Sequence, residues 1–285
     1  MQIFIVFILC ALATAKVTLQ GRCGKKYLQT RSDGIFYNGV VFLTAALLFL
    51  TDIPSASLQT RLYAAVFALF TVIFQLCYTS ALSNGNVSLT VLIVNLSMLF
   101  PVVASILLYH ETVTLPRALG IGLIVVTFFL GLDTKGGGRP RRSWLFQALA
   151  AALANGAIGI TQKIFGASAY HSEKKSFVAT SYALAFVITL ALHLFARKKE
   201  KGACACTKFP VWAFAISAGA ILAVFQWLNT YAISVMDGSF LFPVYSGGSI
   251  LLSTLVGVFF FKDELMTKQK ISILLGIVAV ALINL

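Results

Sequence analysis

Apolar residues along this chain come in long continuous runs, not in alternation. Ten can be marked, at about 1–20, 35–51, 62–82, 87–109, 117–132, 144–165, 175–196, 210–234, 239–261 and 270–285. They reach or approach the roughly 20 apolar residues that carry a helix across a bilayer. A membrane barrel would instead read as shorter segments with apolar and polar positions alternating. The pattern predicts an all-α, polytopic membrane protein of ten transmembrane helices. Short polar connectors separate the runs, the clearest being DTKGGGRPRR at 133–142 and RKKEKGACACTK at 197–208. The first divides the chain into units 1–138 and 139–285. No connector is long enough for an extramembrane domain, so the work is expected inside the membrane. The opening MQIFIVFILCALATA lacks the positive stretch of a signal peptide and is read as the first helix.

Composition supports lipid as the solvent. Hydrophobic residues make up 59% and charged residues 11%, against about 25% charged in a typical soluble domain. The net charge of +13 does not point to nucleic acid, because the basic residues sit in connectors, where topology puts them. Connectors after odd-numbered helices hold seventeen Lys and Arg, Lys16 among them. Those after even-numbered helices hold five: Arg61, Arg117, Lys163, Lys174 and Lys175. That bias puts the odd connectors in the cytoplasm and both termini outside. Five cysteines give no disulfide framework. Cys10 and Cys77 lie in apolar runs as packing residues, and Cys204 and Cys206 form a lone C-x-C too weak to imply a metal.

The chain also repeats itself. Residues 75–83 read QLCYTSALS and residues 226–234 read QWLNTYAIS, sharing Gln, Thr, Ala and Ser at the same spacing. The same offset pairs Ser88 with Ser239, and a slip of two pairs Glu111 with Glu264 and Arg117 with Lys270. Five helices per half is an odd number, so the second half enters the membrane from the opposite side. That is an inverted-topology repeat, whose substrate site is expected near the midplane between halves.

Polar side chains within the runs are costly in lipid and therefore informative. Gln75, Tyr78 and Thr79 share a stripe on the third helix. Gln226, Asn229 and Thr230, with Trp227 and Tyr231 beside them, repeat it on the eighth. The sixth helix adds Asn155 and Gln162, the fourth Asn95 and Ser97, and the ninth Tyr245 and Ser246. Together they predict a polar central cavity, with interhelical hydrogen bonding as the competing role for any one of them. Tyr78, Trp227, Tyr231 and Tyr245 could stack a planar or cationic group. Rows of small residues (Ala148, Ala152, Gly156; Ala151, Asn155, Gly159) permit close helix approach. Pro101 and Pro243 bend their helices. Glu111 and Glu264 read as caps or interfacial ion pairs at helix ends. No carboxylate falls mid-membrane, which argues against exchange of a proton for an organic cation and favours a neutral, zwitterionic or aromatic substrate. Lys163 is the one basic residue considered for the cavity, with snorkelling to the interface as its expected fate.

QLCYTSALS and QWLNTYAIS each lead into a helix closed by glutamate, in YHETVTLPRALGIG and FKDELMTKQKISILLG. With FPVYSGGSILLSTLVGVFFFKDE, they make the chain resemble the drug/metabolite transporter superfamily, in particular its ten-helix bacterial members with two EamA-type repeats. The resemblance implies a cavity lined by helices 3, 4, 8 and 9, and it implies cytoplasmic termini, opposite to the charge count. The expected function is secondary transport of a small polar or amphipathic metabolite, an amino acid or related nitrogenous compound, across the inner (plasma) membrane. The alternatives are a broad-specificity drug exporter and a lipid scramblase or membrane scaffold. An enzyme is not expected: His110, His171 and His193 are scattered, with no H-E-x-x-H, G-x-S-x-G or nucleotide-binding loop. No cofactor, metal or nucleic acid is expected. The partners are the substrate and the bilayer, and a monomer is the default with a homodimer as alternative.

Overall fold

The computed structural model describes residues 2–85, 87–110, 113–131, 142–199 and 208–261, with isolated positions between 271 and 282. Glu111, Glu264, Cys204, Cys206 and most of the tenth run lie outside the described residues. The described regular structure is helical throughout. Its ten α-helices are α1 (Gln2–Tyr27), α2 (Arg31–Leu47), α3 (Leu58–Asn84), α4 (Val87–Asn95), α5 (Leu99–Tyr109), α6 (Leu115–Gly131), α7 (Arg142–Ala167), α8 (Lys174–Lys199), α9 (Phe209–Val235) and α10 (Gly238–Phe261).

Ten helices make nine passes here, because the fourth apolar run is broken. A single 3-10 turn, Leu96–Met98, separates α4 from α5. Pro101 accounts for the break: its ring clashes with the carbonyl four residues back, at Ser97, and it has no N–H to offer that carbonyl. Pro243 is accommodated inside an unbroken α10. The first pass differs from expectation in the other direction. Its apolar run closes near residue 20, yet α1 continues to Tyr27 and ends on Lys25 and Lys26, a sign that suits the negative end of the helix dipole. Lys16 therefore belongs to the helix interior and not to a connector.

Helix starts are set locally. Thr30 caps α2 through a reciprocal pair, Asp33 N–H to Thr30 Oγ1 at 3.1 Å and Thr30 N–H to Asp33 Oδ2 at 3.1 Å, which satisfies two otherwise orphaned donors. Ser57 caps α3 by accepting from the Thr60 N–H at 3.2 Å.

The main interfaces run between the halves, not within them. α3 packs on α7 and α8, α2 on α8 and α9, and α1 on α9 and α10; α4 and α5 pack on α7 and α10. The list reads the same when the halves are exchanged. In pass numbers, pass 3 on pass 6 is answered by pass 8 on pass 1. Likewise 2 on 8 answers 7 on 3, and 1 on 9 answers 6 on 4. Tight spots permit this interlocking. A Cβ on Gly219 of α9 would stand 2.6 Å from the Val41 carbonyl oxygen of α2, so only glycine fits. The small row on α7 serves the same purpose: a Cβ at Gly159 would meet Pro101 Cγ at 3.0 Å.

Two large apolar cores result, with two smaller clusters where α3, α4 and α7 meet. One gathers α2, α3, α8 and α9 around Phe42, Phe67, Phe177 and Tyr182, with Phe165 of α7 stacked on Phe177 at 4.2 Å. The other joins α1, α5, α6, α9 and α10 around Leu9, Val102, Ile124 and Leu241. Outside them, Phe146, Phe195 and Phe209 are 70% exposed or more. An apolar surface this extensive belongs to lipid, not to water. Five helical segments are by themselves long and apolar enough to cross a membrane: Ile3–Tyr27, Leu58–Asn84, Arg142–Ala167, His171–Arg197 and Phe209–Val235.

Candidate functional site

Between the two cores lies a cavity of about 140 Å³. It is close in size to the ~150 Å³ void that admits benzene in an apolar core. Both halves line it. α1 contributes Lys16, α3 Thr71, Phe74, Gln75 and Tyr78, and the broken fourth pass Asn95, Ser97 and Pro101. Across from them stand Asn155 and Gln162 of α7, Gln226 and Asn229 of α9, and Tyr245 and Ser246 of α10. The depth is central: Asn155 is thirteen residues beyond Arg142 and twelve before Ala167.

Nine of the twelve expected substrate residues line this space: Gln75, Tyr78, Asn95, Asn155, Gln162, Gln226, Asn229, Tyr245 and Ser246. Thr79 turns away from it toward α1 and α2. Trp227 and Tyr231 do not reach it either. They are 38% and 36% exposed, and Lys174 Nζ sits 5.3 Å from the Tyr231 ring centroid. At about 100° per residue, positions 227 and 231 fall on the face of α9 opposite the one carrying 222, 226 and 229.

The residues missed are Lys16, Gln20 and Asn38. Lys16 is 8% exposed, with Nζ 6.0 Å from the Phe74 ring centroid. It is fourteen residues from Gln2 and eleven from Tyr27, about 16 Å from the nearer helix end at 1.5 Å per residue. That is too far for its side chain to snorkel. A lysine at this depth costs about 2.5–3.5 kcal/mol on insertion scales. Among the described residues no Asp or Glu lines the cavity. Lys163, the basic residue that was considered, is buried against Tyr109, its Nζ 5.6 Å from that ring centroid, and does not line the cavity.

The polar groups form two similar knots. In the first half, Gln20 Nε2 donates to Thr79 Oγ1 at 2.6 Å and Asn38 Nδ2 donates to the same oxygen at 2.9 Å. The Thr79 hydroxyl donates to the Gln75 carbonyl at 2.7 Å. In the second half, Gln162 Nε2 donates to Thr230 Oγ1 at 3.0 Å, and Thr230 donates to the Gln226 carbonyl at 2.8 Å. Asn229 Nδ2 completes it by donating to Gln162 Oε1 at 3.2 Å. The correspondence is positional as well as chemical, since 226 − 75 and 230 − 79 both give 151. A further bond ties the halves across the cavity, Asn155 Nδ2 to Ser97 Oγ at 2.6 Å. The Gln226 side-chain N–H₂ is buried with no partner.

A model of the EamA-like transporter family matches residues 3–132. No curated protein matches the chain. Among solved structures, one described only as a crystal structure of a protein is similar at 14% identity and a TM-score of 0.72. The likeness covers 98% of this chain and 94% of that one. It concerns the fold alone, and it extends over the second half, which the family match does not reach. The chain is a polytopic membrane protein, and its likeness to the EamA-like transporter family covers the first half.

The two halves are also tied together outside the cavity. Ser57 N–H donates to Glu173 Oε2 at 2.9 Å, and the Ser55 and Ser176 hydroxyls meet at 2.8 Å. Arg117 pairs with Asp237 at 3.5 Å. All three bridge connectors that follow even-numbered passes, or the helix ends next to them, so all three close the same end of the bundle. Arg117 thereby finds its acid on the α9–α10 turn.

Proposed function

We propose that the protein is a secondary transporter that carries a small polar or amphipathic metabolite through the central cavity by alternating access of two inverted halves. The observation that carries this reading is a mid-depth cavity lined by amides from both halves, where inverted-repeat transporters hold their substrates. Interhelical bonds that merely glue helices would leave no such space. The reciprocal packing of the passes and the two matching knots support the inverted repeat, with units 1–138 and 139–285 as its halves. The 140 Å³ volume suits a metabolite better than a drug-sized compound, whose sites run to about 300–1,000 Å³. The contacts at Glu173, Ser176 and Asp237 are the closed gate in this reading, and they part when the site turns to that side. With Lys16 and Lys163, both buried within helices, withdrawn from the connectors, the basic bias stands at sixteen to four and still favours the odd connectors in the cytoplasm. The protein acts in the inner membrane, and as a monomer, since one chain supplies both sides of the cavity.

The test is uptake into proteoliposomes from a panel of amino acids, amines, nucleosides and sugars. We expect saturable uptake of at least one class, reduced tenfold or more in Gln226→Ala and Asn229→Ala at unchanged protein insertion. A scaffold or a scramblase leaves the whole panel flat and tolerates both changes.

A further inference from the structure

Resting on the transporter reading, the cavity also indicates the charge of what it takes. Lys16 is the one basic side chain among the described residues that line the cavity; the other ionisable lining groups are the phenols of Tyr78 and Tyr245. No described carboxylate lines the space with it. Its nearest described ring partner, Phe74, supplies an aromatic edge or face at 6.0 Å and no counter-charge. A buried ammonium normally acquires an opposite charge or a set of acceptors. Here the surrounding groups are chiefly neutral amides and hydroxyls, and one of them, the Gln226 N–H₂, is itself a buried donor lacking an acceptor. The described lining thus carries a cation and a donor without an acceptor, with no negative charge to match them, and the missing complement is an anion.

We propose that Lys16 binds the carboxylate of a small monocarboxylic substrate, an amino acid or another organic acid, with Gln226 as a second donor to the same ligand. Carboxylate is favoured over a phosphate ester on charge and size. A phosphate monoester brings about −1.5 to −2 charges at pH 7, and the described lining offers a single cation and no arginine fork. The volume holds a ligand about the size of benzene. The aromatic groups Phe74, Tyr78 and Tyr245 then face the rest of the molecule.

The experiment uses the detergent-purified full chain and measures equilibrium binding of alanine, leucine, phenylalanine, pyruvate and benzoate, each beside its uncharged amide, or its methyl ester where the amine must be kept. Expected is binding by at least one acid at ten or more times the affinity of its neutral counterpart. That preference is abolished in Lys16→Gln and retained in Lys16→Arg. Lys16→Gln should fold, because it removes a buried charge without changing the side-chain length much, and its melting temperature and monodispersity check this. If every acid fails to bind, or binds no better than its neutral partner, the assignment is overturned. It is also overturned if Lys16→Gln keeps the preference, or if Lys16→Gln fails to fold while Lys16→Arg folds and loses the preference. Saturable uptake of a neutral compound or an amine, sensitive to Asn229→Ala and indifferent to Lys16→Gln, would sink this assignment and leave the transporter reading intact.

Discussion

The knots around Thr79 and Thr230 share a Gln-x-x-x-Thr pair at one offset and a glutamine from an equivalent helix, yet they are built differently around it. In the first half a single hydroxyl accepts from two amides, Gln20 and Asn38, and donates to a carbonyl. It is saturated, and Gln20 and Thr79 lie behind the cavity wall. In the second half the threonine accepts from one amide only, and Gln162, Gln226 and Asn229 all face the cavity. The difference lies in α2, which places Asn38 against Thr79 and fills the remaining acceptor site. One chemical pattern is a buried brace in the first half and a cavity-lining cluster in the second. Asn38, the extra amide on Thr79, is what distinguishes the two clusters.

The tightest test of the pairing is steric. Gly219 corresponds to Ala68, since 219 − 68 gives 151. Gly219→Ala pushes a methyl against the Val41 carbonyl and should cost about 2–3 kcal/mol, the upper part of the overpacking range. The reverse change, Ala68→Gly, should cost about 1 kcal/mol, chiefly through helix propensity. Unfolding in detergent with increasing denaturant compares the two. Equal losses would show that the α2–α9 and α3–α8 contacts are equally close, against the structure.

Next in size is the contrast between the knots. Thr79→Val strands two buried amides and should lose about 2 kcal/mol. Thr230→Val strands one amide that the cavity can solvate and should lose about 0.5–1 kcal/mol. Substrate affinity should respond the other way round, with the larger effect in Thr230→Val. If both variants melt alike and bind alike, the division into brace and ligand surface is wrong. The smallest effect is expected at the gate. Asp237→Asn removes an ion pair whose acid is largely exposed, so stability should change by no more than about 0.5 kcal/mol. The fraction of protein open on that side, read by cysteine labelling near Asp237, should rise measurably.

Much of the architecture was legible in the sequence because hydropathy and helical period act over long windows. The runs placed the passes, and the Gln/Thr repeat located the two knots. What escaped was decided by partners in space. Lys16 was counted with the first connector because it lowers the local hydropathy, but α1 continues and packing with α3, α9 and α10 covers it. Trp227 and Tyr231 were attractive for their chemistry, and the helical wheel of α9 already set them opposite Gln226. Thr79 lies about 40° round the helix from Gln75, enough to turn it from the cavity to the neighbouring helix. Asn38, lodged within an apolar run, was a signal passed over.

Finally, the interlocking of the halves bears on how the protein is made. The faces that α1, α2 and α3 will bury are covered mainly by α7, α8, α9 and α10, which leave the ribosome later. During synthesis the early helices stand in the bilayer with Lys16, Gln20, Asn38 and Gln75 still waiting for most of their surroundings. The two halves therefore mature together, and a first half made alone is an orphan exposing a charge and several amides to lipid. That is the kind of surface membrane quality control removes.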